Sequence, residues 1–227
     1  MMASLSGKQR IAVDIVSDVM CPWCWVGKRK LESAMKLAAD KYEFIVRWHP
    51  YFLRPDMPKD GAPKPPSTLG NPRVGERLRE EGEKVGIHFT GKADRYPNTQ
   101  QAHVLLEYAL ERLGSRGQND IAEDIFQAYF TDGLQPNETT LVTIAKKHGL
   151  NEEEAKQVLK DDERLKSVKS AALEWSNKGV TGVPAFFMNG GPTFSGAQDV
   201  SVFTKIFDVV AQKRPLSEDM SMASASL

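Results

Sequence analysis

The sequence predicts an α/β fold in which a β-sheet is laid down in two halves: a βαβ opening, an all-helical insertion, then a ββα close. Three observations carry this. β-branched apolar runs cluster near the two ends of the chain, Asn98 to Lys178 offers consecutive helices without a strand candidate, and strand character returns after Gly179.

Taking the elements in order, residues 11–19 (IAVDIVSDV) are β-branched and apolar enough for a buried first strand. A helix follows. Pro22 suits its first turn, where a missing N–H costs nothing, and Leu31, Met35, Leu37 and Ala38 supply an apolar face up to about Asp40. Lys28, Arg29 and Lys30 are read as its exposed side. Residues 42–49 alternate as a second strand. Between Pro50 and Pro72 lie seven of the 13 prolines, which predicts a long irregular loop, and a short helix from about Arg73 to Lys84 comes next.

The insertion is punctuated by its own start and stop signals. Ala102, Leu105, Leu106, Ala109, Leu110 and Leu113 share a face that ends at Gly114; Asp120 is the candidate N-cap of the next helix. Asn137 or Thr139 caps a third helix, closed by Gly149, and Asn151 ahead of Glu152, Glu153 and Glu154 starts a fourth. The last runs from about Asp162 to Lys178. Beyond Gly179, Val183–Met188 is a short apolar strand, Asn189-Gly190-Gly191 a hairpin turn, and Pro192–Phe194 an edge strand. Val202, Phe203, Ile206, Phe207, Val209 and Val210 mark a closing helix, and the segment from Pro215 reads as a flexible tail.

Composition narrows the function classes. The chain has 227 residues, long enough for one large domain or a domain with an insertion, and its 30 basic and 30 acidic side chains cancel. No overall field draws in nucleic acid or anionic membrane, and no apolar run approaches the roughly 18 residues that span a bilayer. The N-terminal stretch reads as a first strand rather than a signal peptide. Two cysteines cannot build the framework of a secreted scaffold, so the expected compartment is the cytoplasm. The ending Ala225-Ser226-Leu227 only loosely matches a peroxisomal signal.

Those two cysteines stand together as Cys21-Pro22-Trp23-Cys24, between the first strand and the first helix. At a helix start, unpaired N–H groups and the helix dipole stabilise a thiolate, which makes Cys21 the nucleophile; Cys24, one turn in, can attack a mixed disulfide held on it. Half of a zinc site is an alternative, but four ligands are needed, there is no other cysteine, and His49, His88, His103 and His148 are scattered. Two inert buried thiols are the other alternative. A second feature, Gly182-Val183-Pro184, precedes an apolar strand, and its proline is compatible with either a cis bond or a trans strand start.

The run Ser17–Gly27 around the cysteines, Asn98-Thr99 with Ala102-His103, Gly179–Pro184, and Ser195-Gly196-Ala197-Gln198 together resemble the FrnE-like branch of the DsbA family, across about residues 11–212. The resemblance implies a thioredoxin fold with a helical insertion: residues 1–97 and 180–214 as the thioredoxin-like domain with its proline-rich loop 50–72, 98–179 as the inserted helical domain, 215–227 as tail. It implies a thiol-disulfide oxidoreductase or isomerase with Cys21 and Cys24 as catalytic residues. Pro184 becomes the cis-proline beside them, and Val183 offers its backbone to an extended substrate. Pro22 and Trp23 join the substrate-binding candidates; Asn98 and His103, at the opening of the insertion, are further site candidates. Members often carry a basic residue after that histidine, where this chain has Val104.

Partners are therefore expected to be thiol- or disulfide-containing proteins or small molecules. No metal or organic cofactor is called for, glutathione entering only as a candidate thiol substrate. Trp23 is expected to be partly exposed, with Trp25 and Phe52 in the core, and Asp14 as an exposed strand-end carboxylate in preference to a proton relay for Cys24. Two other readings compete. Glutathione-dependent isomerases and kappa-class glutathione transferases share the fold but usually have serine at the position of Cys21, and a chaperone-like binding module would need neither thiol.

Overall fold

The computed structural model describes residues 8–216, so most of the expected tail and the C-terminal tripeptide lie outside the described residues. Its four-stranded sheet has the order β2-β1-β5-β6. Strand β1 (Gln9–Ser17) lies parallel to β2 (Tyr42–Pro50) in unbroken register from Gln9 opposite Tyr42 to Ser17 opposite Pro50. On its other side β5 (Ala185–Met188) runs antiparallel, and β6 (Gly191–Ser195) closes the edge through a hairpin whose Asn189 and Gly190 both have positive φ. That turn twists with the strands, as Asn-Gly predicts.

Strand alternation sends Ile11, Val13 and Ile15 into the main core with Cys24, Trp25, Phe203 and Phe207. Val16, on the opposite face, forms a second small cluster with Val180 and Ala185, packed under Tyr51, Trp175 and Phe187. Helices α1 (Pro22–Leu37) and α7 (Val200–Lys213) pack against each other, α7 also touching β1. A two-stranded ribbon, β3 (Ala62–Pro63) with β4 (Arg95–Tyr96), ties down the proline-rich loop. Between them α2 (Glu76–Lys84) starts three residues later than expected, because Gly75 is still extended.

The insertion opens with α3 (Gln100–Gln127), broken at Gly114 by φ 71° and ψ −174°, a conformation open to glycine. The helix resumes at once, so Asp120 lies inside it and is no N-cap. A wide i→i+5 turn (Ala128–Asp132) then leads to α4 (Glu138–Lys147), α5 (Glu152–Leu159) and α6 (Asp162–Asn177), each started by a side-chain cap: Asn137 to the Thr140 amide, Asn151 to Glu154, Asp161 to Glu163 and Arg164. Helix α3 covers β2. The buried Gln118 amide takes the place of a neighbouring strand, accepting from the Trp48 N–H at 2.8 Å and donating to the Trp48 carbonyl at 3.0 Å.

Lys28 and Lys30 of α1 do not lie on an exposed side. Lys28 and Lys30 are 2% and 6% exposed, because three neighbours wrap that face with carboxylates. Lys28 pairs with Glu32 and with Glu123 of α3, and Lys30 with Glu81 of α2 and with Asp199 at the start of α7.

Candidate active site

Cys21 is the N-cap of α1, its backbone extended and its side chain spent on no capping bond, and Pro22 fills the first helical position. A turn from the Cys21 N–H to the Asp18 carbonyl at 2.9 Å sets it at the strand-to-helix corner. Cys21 is 6% exposed and Cys24 is fully buried; the two thiols are unbonded. Cys24, through its thiol and then its backbone N–H, together with the Trp23 N–H, holds the Cys21 thiol below its ordinary range, against burial and the nearby Asp18 carboxylate. Burial, and next Cys21 itself, push the Cys24 thiol well above that range. The pair is thus asymmetric: one thiol inclined to ionise at the helix end, one kept protonated behind it.

Pro184 is buried beside the pair, after a cis Val183–Pro184 bond. The Cys21 Sγ lies 3.6 Å from the Val183 carbonyl, so that carbonyl and the sulfur share one mouth. Gly27 makes the approach of α1 feasible: a Cβ there would stand 3.2 Å from the Pro184 ring and 3.3 Å from Phe186. The loop Ser195–Gln198, which carried no chemical role in the sequence, holds the proline from behind, the Gly196 N–H donating to the Pro184 carbonyl at 2.8 Å.

Trp23 is half-buried at this mouth with the Arg77 guanidinium 5.3 Å above its ring. Trp25 is core, stacked on Phe126 and Phe130 and edge-on to Phe89. Phe52 is half-buried against the main core, where its ring meets His103 at 5.2 Å.

His103 and Asn98 part company. His103 is 2% exposed with its Nε2 3.7 Å from Asp18, whose carboxylate accepts from the Met20 and Leu53 amides beside Cys21. Asn98 spends its amide on the Met57 and Pro58 carbonyls and accepts from the Gln100 N–H, anchoring the proline-rich loop to the insertion.

Asp14 is buried, not exposed, because β1 is a central strand. It faces Arg47 and His49 of β2, each 2.8 Å from Oδ1, with Trp175 against the histidine ring. Burial would raise its carboxyl; the His49 and Arg47 partners prevail and hold it low. It lies on the sheet face opposite the one that packs with Cys24. The carboxylate next to the cysteines is Asp18, fully buried; in the sequence it shows only as an acidic residue three before Cys21 at the end of an apolar strand.

Among the described residues no cluster of three or more His, Cys, Asp and Glu side chains could hold a metal ion, and no helix is long and apolar enough to cross a membrane.

Residues 12–208 match the family model described as a DSBA-like thioredoxin domain. The crystal structure of a probable DsbA oxidoreductase from Streptomyces coelicolor is 28% identical, with a TM-score of 0.76 over 91% of this chain and 93% of that one. The uncharacterized protein YwbO of Bacillus subtilis is 25% identical over 209 residues, 90% of this chain and 99% of its own. A 2-hydroxychromene-2-carboxylate isomerase, 16% identical, shares the fold at a TM-score of 0.65 over 91% of this chain and all of its own. With an interrupted sheet, a cysteine pair at the start of α1 and a cis-proline beside it, the chain belongs to the DSBA-like thioredoxin domain family.

Proposed function

We propose that the chain is a thiol-disulfide oxidoreductase that works through Cys21 and Cys24. The observation that carries this is the asymmetry of the pair: Cys21 is held toward its thiolate at a helix N-terminus 3.6 Å from the Val183 carbonyl, and Cys24 is fully buried one turn behind. In the reducing direction the Cys21 thiolate attacks a substrate disulfide, forming a mixed disulfide and releasing one substrate thiolate. Cys24 then loses its proton and attacks the Cys21 sulfur, closing the Cys21–Cys24 bond and releasing the second thiolate. Two electrons pass to the substrate, and the two protons left by the cysteines end on its thiols. In the oxidising direction every step reverses. The Val183 main chain, whose carbonyl lies 3.6 Å from the Cys21 sulfur, borders the path of an extended substrate, and Trp23 offers it an apolar flank. The reading fits a reducing cytoplasm, where the pair rests as the dithiol.

The test is equilibration in glutathione redox buffers with thiols trapped in acid. A single two-electron transition is expected. Cys21→Ala abolishes exchange, and Cys24→Ser accumulates a mixed disulfide at Cys21. A pair that never forms a disulfide under these conditions overturns the reading. Full glutathione-dependent turnover of small electrophiles by Cys24→Ser would instead favour an isomerase or transferase.

A further inference from the structure

Next to the cysteines lies a cavity of about 200 Å³. Met20 and Pro22, the two neighbours of Cys21, line it, together with Lys64 of the proline-rich loop, Arg73 just beyond that loop, Tyr96 and Tyr129. Its charge is one-sided. Two cations line it and no carboxylate does. Among the described residues neither cation makes a salt bridge, and the Arg73 Nη1 is buried without a hydrogen-bond partner. The Lys64 ammonium rests over the Tyr129 ring at 4.9 Å and the Tyr96 ring at 5.5 Å. Burial and the Arg73 charge pull its amine down to about 8, the Asp94 carboxylate offsetting only part. A buried guanidinium N–H with no acceptor is costly, and the missing group is an anion that both cations can share.

We propose that this cavity binds a carboxylate of small acidic thiols and their disulfides, glutathione disulfide being the probe class, and so selects them as substrates for Cys21. The inference rests on the disulfide-exchange reading. Size favours a small ligand: the volume falls below the roughly 300–1,000 Å³ that encloses a whole drug-sized molecule, so one carboxylate-ended arm enters and the sulfur stays outside at Cys21. Tyr96 and Tyr129 flank the arm, and the carboxylate accepts from the Arg73 fork and the Lys64 ammonium. The reaction is the balanced exchange above: the dithiol and one glutathione disulfide yield the Cys21–Cys24 disulfide and two glutathione thiols.

The experiment follows stopped-flow oxidation of the reduced full-length protein by glutathione disulfide and by the uncharged 2-hydroxyethyl disulfide. Lys64→Gln/Arg73→Gln is expected to lower the ratio of the two second-order rate constants by about tenfold or more. Wild-type protein gives a second, fold-independent arm: esterifying the carboxylates of glutathione disulfide should lower its rate relative to the acid by a similar factor. An unchanged ratio in both arms overturns the carboxylate site while leaving disulfide exchange intact. Wild-type protein inert to both disulfides overturns the underlying reading and the proposal with it.

Discussion

The balance at Cys21 is decided by a few named neighbours. Hydrogen bonds from Cys24 and Trp23 favour the thiolate, and the Asp18 carboxylate opposes it. Removing that opposing charge in Asp18→Asn is therefore expected to lower the Cys21 pKa further, read as a downward shift in the pH midpoint of alkylation by iodoacetamide. A midpoint that stays or rises contradicts this electrostatic account. Asp14 makes a separate prediction. Its folded pKa lies below the ordinary 3.8, so its ion pairs stabilise the fold above that value, and the contribution disappears as pH falls through the folded pKa. Asp14→Asn should thus lose stability at pH 7 and show a shallower acid-unfolding curve below about pH 4 in thermal scans; parallel curves for the two proteins refute it. The cysteine pair was legible at this scale because both thiols of the chain fall within the single run Cys21-Pro22-Trp23-Cys24. Asp18 was not, since its burial depends on Leu53 and His103, which come from the proline-rich loop and the insertion.

Elements were legible where local signals decide them, as at the side-chain caps Asn137 and Asn151 and the Asn189-Gly190 hairpin. They were misread where a distant partner decides. Lys28 and Lys30 look solvent-facing on α1 until Glu123, Glu81 and Asp199 arrive from three other elements. Gln118 is the same kind of residue: nothing nearby in sequence announces that it will pair with the backbone of β2. Gln118→Ala leaves the buried N–H and carbonyl of Trp48, and the Leu106 carbonyl, without that partner. We expect a loss of about 3 kcal/mol, measured by urea unfolding, with the cysteine exchange rate little changed. A loss below ~0.5 kcal/mol would mean that water replaces the amide and that α3 does not seal the strand.

At the scale of the molecule, the cysteine pair sits where β1 and α1 from the first half of the chain meet the cis-proline of the second. Its chemistry is thereby linked to global stability. In the folded dithiol, Cys21 has a pKa below that of the unfolded chain, so it contributes stability that is fully present above the unfolded thiol value and is lost as pH falls through the folded one. Cys24 has the opposite sign: its raised pKa opposes folding only as pH climbs past the ordinary thiol range. The oxidised protein has neither titration. The melting temperature of the reduced protein relative to the oxidised one should therefore rise with pH from the folded Cys21 pKa up to the ordinary thiol range near 9.0, then turn downward. Paired thermal unfolding of the two redox forms across pH 5–10 checks this. A difference independent of pH would mean that Cys21 gains no thiolate stabilisation from the fold, and the nucleophile would have to owe its reactivity to the substrate alone.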